Sequence, residues 1–315
     1  MMSRRQFLSL LPAGLVAGCS EEAPQRKLTF PKVPWRVTAT TQFAADMAGA
    51  IGGKAVQAQC FFPAGVIPEK FVPGAPDIAR LHTSDIVLTH GLGLEQRWPV
   101  DFVEMAGAGV RVFTATSTIP PDRIIHPSGP GGPPDCHVWT HPELAACMVD
   151  AIAGALKEAM PKLSDYFGPR AYQLRLRLEE IMKAATQRAK ELKPDGRFLL
   201  TSHDSMQYFA AAFSLEARAL TSADGTIADR IPDSLKDWIA THKVKSLFRE
   251  PSAEMDLLRR MLYEVKVDPD HPIHSLTLPE KNATTITPYK VYETGTTAGC
   301  LQHLCESVLS TLIAN

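Results

Sequence analysis

No run in this chain approaches the ~20 consecutive apolar residues that a helix needs to cross a bilayer, so the mature chain is expected to be soluble. Neither charge is in excess, with 33 basic residues against 34 acidic ones. Removing residues 1–18 takes away Arg4 and Arg5 and no acid, leaving 31 basic against 34 acidic residues. A surface of that balance offers nothing to attract nucleic acid. Short-period repeats are absent, which argues against stacked-repeat architectures. Cysteine is sparse: Cys19, Cys60, Cys136, Cys147, Cys300 and Cys305. Cys300 and Cys305 fall on one helical stretch at a spacing that points their side chains apart, and no disulfide is predicted. What remains is ordinary globular composition, 45% hydrophobic and 21% charged, over a length that suggests two domains rather than one.

The first 18 residues read as an export signal, with a basic pair, an apolar stretch from Phe7 to Ala17, and small residues before a cysteine. Ser3-Arg4-Arg5-Gln6-Phe7-Leu8 resembles the twin-arginine motif, in which Arg4 and Arg5 are read by a receptor. Ser9, Pro12 and Gly14 weaken the apolar stretch, which suits that route. Val16-Ala17-Gly18-Cys19 resembles a lipobox, in which Cys19 is lipidated and becomes the first residue. Each buried CH₂ of such a lipid contributes about 0.8 kcal/mol, enough for a multi-chain anchor to hold the protein at a membrane surface. Residues 19–34 then form a flexible tether.

Beyond the tether, short apolar runs alternate with helical periodicity. Strands are expected at Arg36–Thr40, Ala55–Phe62, Asp85–His90 and Val110–Phe113. Helices are expected at Gln42–Ile51, Asp77–His82, Leu94–Ala106 and His141–Met160. Such alternation is the pattern of a parallel sheet covered by helices. From Pro169 to Leu192 one helix carries Leu174, Leu178, Ile181 and Ala185 on a single stripe and charge on the rest. The alternation then restarts with a strand at Phe198–Thr201, a helix at Met206–Phe213, a strand at Val244–Phe248, and helices at Glu254–Val265 and about Ala298–Leu312. The fold class is α/β: a lobe over residues 35–164, a linking helix over 165–193, and a second lobe over 194–315.

Ligands of open α/β sheets bind beyond the carboxyl ends of strands. Four residues with metal-type side chains leave strands in this way: Glu69, His137, His203 and Glu293. By residue type alone, each is also an ordinary hydrogen-bonded polar residue, and spacing does not separate the two readings. Asp135 is placed to accept from a liganding histidine. Cys136 could hold a soft ion or point into the lobe. His141, four residues after His137, suits a supporting or helix-terminal role.

Several segments carry a resemblance, in this order: Ala39-Thr40-Thr41-Gln42, Ile51-Gly52-Gly53, Pro63-Ala64-Gly65-Val66 before Pro68, and Pro73. Asp77-Ile78, Ser84-Asp85-Ile86-Val87 and Gly91-Leu92-Gly93-Leu94-Glu95 with Trp98 follow. Then come His137-Val138-Trp139, Ser202-His203-Asp204 with Tyr208-Phe209, and Glu250-Pro251. Together they resemble the metal-specific solute-binding proteins of ABC transporters that handle zinc, manganese or iron(II), over nearly all of residues 37–315. The resemblance implies two α/β lobes flanking a long rigid helix and one divalent transition metal ion per chain between them. It also implies a monomer that docks on the membrane permease of an ABC importer, with no catalysis.

The family's four ligand positions fall on Glu69, His137, His203 and Glu293. Where the family usually has histidine, Ile67-Pro68-Glu69-Lys70-Phe71 supplies glutamate; where it usually has aspartate, Glu293 offers a carboxylate one methylene further out. Cys136 replaces the usual proline, and His141 the usual aspartate. The histidine-rich loop of many zinc-specific members is missing, since Ile119–Pro134 holds only His126. Two imidazoles and two carboxylates make a harder site than three histidines, suited to manganese or iron(II), while zinc binds such donors with greater raw affinity. The donors therefore fix the class of ion and not the ion. Two other readings stay open: an adhesin-like or structural lipoprotein in which Lys70 pairs with Glu69 and the site is vestigial, and a metal-dependent hydrolase. The hydrolase lacks a general base with supporting context.

Overall fold

The computed structural model describes residues 28–62, 71–97, 102–107, 109–221, 231–249, 274–275 and 296–314. Residues 1–27, which include Arg4, Arg5 and Cys19, lie outside them, as do Glu69, Glu293 and the expected helix at Glu254–Val265.

The first sheet is built from β1 (Trp35–Ala39), β2 (Val56–Cys60), β3 (Ile86–Thr89) and β4 (Arg111–Thr114), in the order β2-β1-β3-β4. All three pairings are parallel, with Val37 opposite both Ala58 and Ile86. All four residues of β3 are buried, as expected of an inner parallel strand covered on both faces. Around this sheet lie α1 (Gln42–Gly52), α2 (Ala75–His82), α3 (Phe102–Ala106) and α4 (Pro142–Ala159). Helix α1 starts where Thr41 Oγ1 accepts the Ala44 N–H at 3.3 Å. It stops at Gly53, whose φ of +49° suits glycine. Helix α4 begins at Pro142, behind His141 at the cap position.

A second all-parallel sheet comprises β5 (Phe198–Thr201), β6 (Glu216–Ala219), β7 (Leu247–Arg249) and β8 (His274–Ser275), ordered β6-β5-β7-β8. Its helices are α6 (Gln207–Phe213), α7 (Asp233–Thr241) and α8 (Thr297–Ala314). In each sheet the chain reverses its direction of winding beside the first strand, at β1/β3 and at β5/β7. A switch point of this kind leaves a crevice at the carboxyl ends of the strands.

Between the sheets in sequence runs α5 (Ser164–Ala189), whose 26 residues span about 39 Å. It packs against α4 and α8 and touches α1 and α6. Phe167, Ala171, Leu178, Ile181, Ala185 and Ala189 form its buried stripe. One continuous apolar core runs from Val37 and Ile86 through this stripe to Leu199, Phe209 and Leu309. On its outer side, Arg175 pairs with Asp150 of α4 and Arg177 with Glu180.

Three local expectations need correcting. Helix α5 begins five residues before Pro169, because Phe167 is fully buried and holds the first turns against the core despite the missing proline N–H. The stretch from Leu94 does not run as one helix: Glu95–Arg97 is a single 3₁₀ turn and α3 starts at Phe102. Strand β7 starts at Leu247 rather than Val244, after Lys243 has taken a positive φ of 50°.

Candidate metal site

The chain leaves β3 directly into His90-Gly91-Leu92-Gly93, and every one of Gly91, Leu92 and Gly93 has a positive φ. At Gly91 a Cβ would lie 2.6 Å from Thr114 Cγ2, so only glycine fits. Glu95 closes the turn: its Oε1 accepts from the His90 N–H at 2.6 Å and from Thr40 Oγ1 at 2.5 Å, and its Oε2 from the Gly91 N–H at 3.0 Å. This accounts for the lost helix, since the Glu95 carboxylate is committed to the loop before it.

After β4 a long Pro/Gly-rich loop leads to Asp135-Cys136-His137, all three buried. Asp135 Oδ1 accepts twice from His137, from its backbone N–H at 2.9 Å and from ring Nδ1 at 2.6 Å. A carboxylate can only accept, so the ring proton sits on Nδ1 and the lone pair falls to Nε2, the arrangement that suits a metal-ligating histidine. Asp135 Oδ2 is buried and meets no hydrogen-bond donor among the described residues. Asp135, Cys136 and His137 each bring a potential ligand atom within 4.8 Å of the others.

His203 comes from the other sheet, in the turn that follows β5. Its carbonyl accepts from Thr201 Oγ1 and from the Ser205 N–H, each at 2.8 Å, which holds the turn tight. The preceding Ser202 N–H reaches the Phe248 carbonyl of β7 at 2.8 Å. His137 and His203 thus arrive from different sheets, and their rings meet edge to face with centroids 5.1 Å apart and planes at 84°. His203 is 7% exposed and His137 2%.

Trp139 forms the floor. It stacks on Phe43 of α1 at 5.4 Å and takes the His137 ring against it at 5.2 Å and the His90 ring at 5.0 Å. Tyr208 of α6 ties the two halves: its hydroxyl accepts the Ile125 N–H and donates to the Asp135 carbonyl, both at 3.0 Å. Burial pushes its phenol up to about 12, so it stays neutral.

His141 faces other partners. Its Nδ1 lies 3.3 Å from the Glu143 N–H and its Nε2 3.2 Å from Arg123 Nη2. A neutral imidazole accepts at only one nitrogen, so one of these is a hydrogen bond at a time. Burial, reinforced by the Arg123 charge, pushes its pKa down to about 4. His203-Asp204-Ser205 holds nucleophile-type residues, but Asp204 takes a hydrogen bond from Gln207 at 2.6 Å, and three neighbours in sequence do not converge as a triad does.

His90 and the bonding role of Glu95 are the site features that the strand-end reading overlooked. His90 follows β3 directly, so the rule that found His203 after β5 could have found it.

The profile of the zinc-uptake complex component A periplasmic family matches residues 37–289. The chain is 30% identical over 219 residues to the manganese-binding lipoprotein MntA of Bacillus subtilis, covering 69% of this chain and 71% of that one. It is 25% identical over 291 residues to the iron ABC transporter substrate-binding lipoprotein MtsA of Streptococcus pyogenes, covering 87% and 89%. Among solved structures, the periplasmic zinc-binding protein TroA of Treponema pallidum superposes with a TM-score of 0.75 at 23% identity, over 89% of this chain and 99% of that one. With a family profile spanning most of its length and a relative of 30% identity over two thirds of it, the chain belongs to the zinc-uptake complex component A periplasmic family.

Proposed function

We propose that this protein is the substrate-binding component of an ABC importer, which captures one divalent transition metal ion and delivers it to the permease. The ion is cargo, and no chemistry is done on it. What carries the reading is the meeting of His137 and His203 at 5.1 Å from two separate sheets, with Asp135 setting the His137 tautomer. Glu69 and Glu293 complete the donor set in this proposal, giving two nitrogens and two carboxylates. That set takes zinc, manganese or iron(II), in keeping with relatives named for manganese and for iron.

The division into a signal over 1–18, a tether over 19–34, lobes over 35–164 and 194–315, and a linking helix over 165–193 belongs to the same proposal. So do export through Arg4 and Arg5, a lipid on Cys19 and a monomeric state. No described helix is long and apolar enough to cross a membrane. Changing Cys19 to Ala moves the protein out of the membrane fraction if the lipid is its anchor.

A ligand bound only by the native state stabilises it by RT ln(1 + [L]/Kd), about 4.1 kcal/mol at a thousandfold excess over Kd. Thermal unfolding with and without each ion therefore tests the proposal. His137→Ala and His203→Ala are expected to abolish most of the shift. A shift that persists in both variants overturns the assignment.

A further inference from the structure

His90 is fully buried at the end of β3 and belongs to none of the four proposed ligand positions. Its backbone is held on both sides. The N–H is shared between Thr40 Oγ1 at 2.7 Å and Glu95 Oε1 at 2.6 Å, and the carbonyl accepts from Thr116 Oγ1 at 2.6 Å. With Gly91 unable to accept a Cβ, this turn cannot shift without breaking the end of the first sheet.

From that fixed backbone the ring reaches Cys136 and Trp139. Nε2 lies 2.7 Å from the Cys136 carbonyl, which can only accept, so the ring proton is on Nε2. The ring edge meets the Trp139 indole at 5.0 Å. Cys136 is the residue before His137, and Trp139 lies two after it, at the far side of its turn. We infer that His90 is a positioning residue for the metal site, pinning the Cys136 carbonyl before His137 and bracing the Trp139 indole after it against the end of β3.

The need for such a clamp follows from the chain path. His137 is carried by the end of a long loop with little regular structure, running from Ala115, and a ligand on a loose loop must be ordered at the moment of binding. Fixing it beforehand removes that ordering cost, and groups that orient metal ligands are typically worth ~10–100-fold in affinity. Asp135 sets the rotation and tautomer of the His137 ring; His90 sets where the backbone that carries the ring sits.

The inference rests on the metal-binding reading, and two substitutions separate them. His90→Phe keeps a ring against Trp139 and removes the donor. His90→Gln keeps an N–H donor at similar reach. Zinc and manganese affinities are measured by competition with a chelator of known strength, alongside melting of the metal-free proteins. The expected result is that His90→Phe melts cooperatively but binds ~10–100-fold more weakly, while His90→Gln recovers most of the parent's affinity. Should His90→Phe fail to fold, His90→Asn, whose donor arm is too short for the Cys136 carbonyl, replaces it with the same expectation. Equal affinity of His90→Phe and a metal-binding parent overturns the inference alone, as does equal weakness of His90→Gln and His90→Phe. A parent that binds neither ion overturns the metal-binding reading and the inference with it.

Discussion

The hydroxyl of Tyr208 donates to the backbone carbonyl of Asp135 at 3.0 Å, so a residue of α6 holds the loop segment that presents His137. The same oxygen accepts the Ile125 N–H at the loop's other side. Tyr208 is 1% exposed and its bond to the Asp135 carbonyl is buried, so water does not readily replace that bond. Tyr208→Phe strands the buried Asp135 carbonyl and removes the acceptor of the half-buried Ile125 N–H. Each stranded group costs about 1–3 kcal/mol, and the metal-free protein is expected to lose stability on that scale in urea unfolding. Metal affinity falls with it, since the loop is no longer tied across the two halves. Unchanged stability would mean that the loop finds other partners.

Asp135→Ala tests the tautomer argument. Without the carboxylate at 2.6 Å from Nδ1, nothing selects the ring form that leaves the lone pair on Nε2. The expected loss is about 10–100-fold in metal affinity, read by chelator competition. Parent-like binding in this variant would show that the His137 proton is placed by another group.

His141 supplies a pH dependence with a definite sign. Its folded pKa of about 4 lies below the ordinary value of 6.5 because it is buried and faces Arg123. The unfolded chain therefore takes up the proton first. The stability contribution is complete above pH 6.5 and is lost as pH falls through that value towards 4. His141 is 5% exposed. Between pH 7 and pH 5 the loss from this group is about 2 kcal/mol. His141→Asn keeps a good helix cap and is expected to flatten the slope by that amount in urea unfolding of the metal-free protein. Metal affinity at neutral pH should be the parent's. A large drop in affinity would make His141 a ligand.

Much of the architecture was legible because inner parallel strands are short apolar runs. Phe198–Thr201 is read directly as β5, and the stripe at Leu178, Ile181 and Ala185 announces α5. What escaped was exposed or bent away by a side chain. Strand β6, Glu216-Ala217-Arg218-Ala219, has one buried residue and no apolar run, so its existence depends on the neighbour β5. The amphipathic α7 was overlooked among flanking polar residues. Glu95 suits a helix by propensity, but two hydrogen bonds from the His90 turn and one from Thr40 Oγ1 outweigh that preference. Of the two histidines of the candidate site, His203 was legible because it follows the apolar run Phe198–Thr201, and His137 because it closes the Pro/Gly-rich loop after β4. The role of His90 was not, because it depends on a carbonyl 46 residues away.

In the proposed donor set, Glu69 stands where the family usually has histidine. Glu69→Ala is expected to weaken binding of every ion. Glu69→His moves the donors towards three imidazoles and is expected to raise the preference for zinc over manganese. Competition titration of the two ions against each variant reads the change. Undiminished binding in Glu69→Ala, beside failure of the histidine variants, would point to Cys136 as the next donor, since its potential ligand atom lies within 4.8 Å of that of His137.

Native mass spectrometry of the metal-free protein, offered zinc, manganese and iron(II) together, tests the central claim most directly. The account predicts one ion per chain in the parent and none at the same concentrations in His137→Ala or His203→Ala. A parent that takes up no stoichiometric ion from that mixture contradicts the account and leaves a lipoprotein of this fold whose metal site is vestigial.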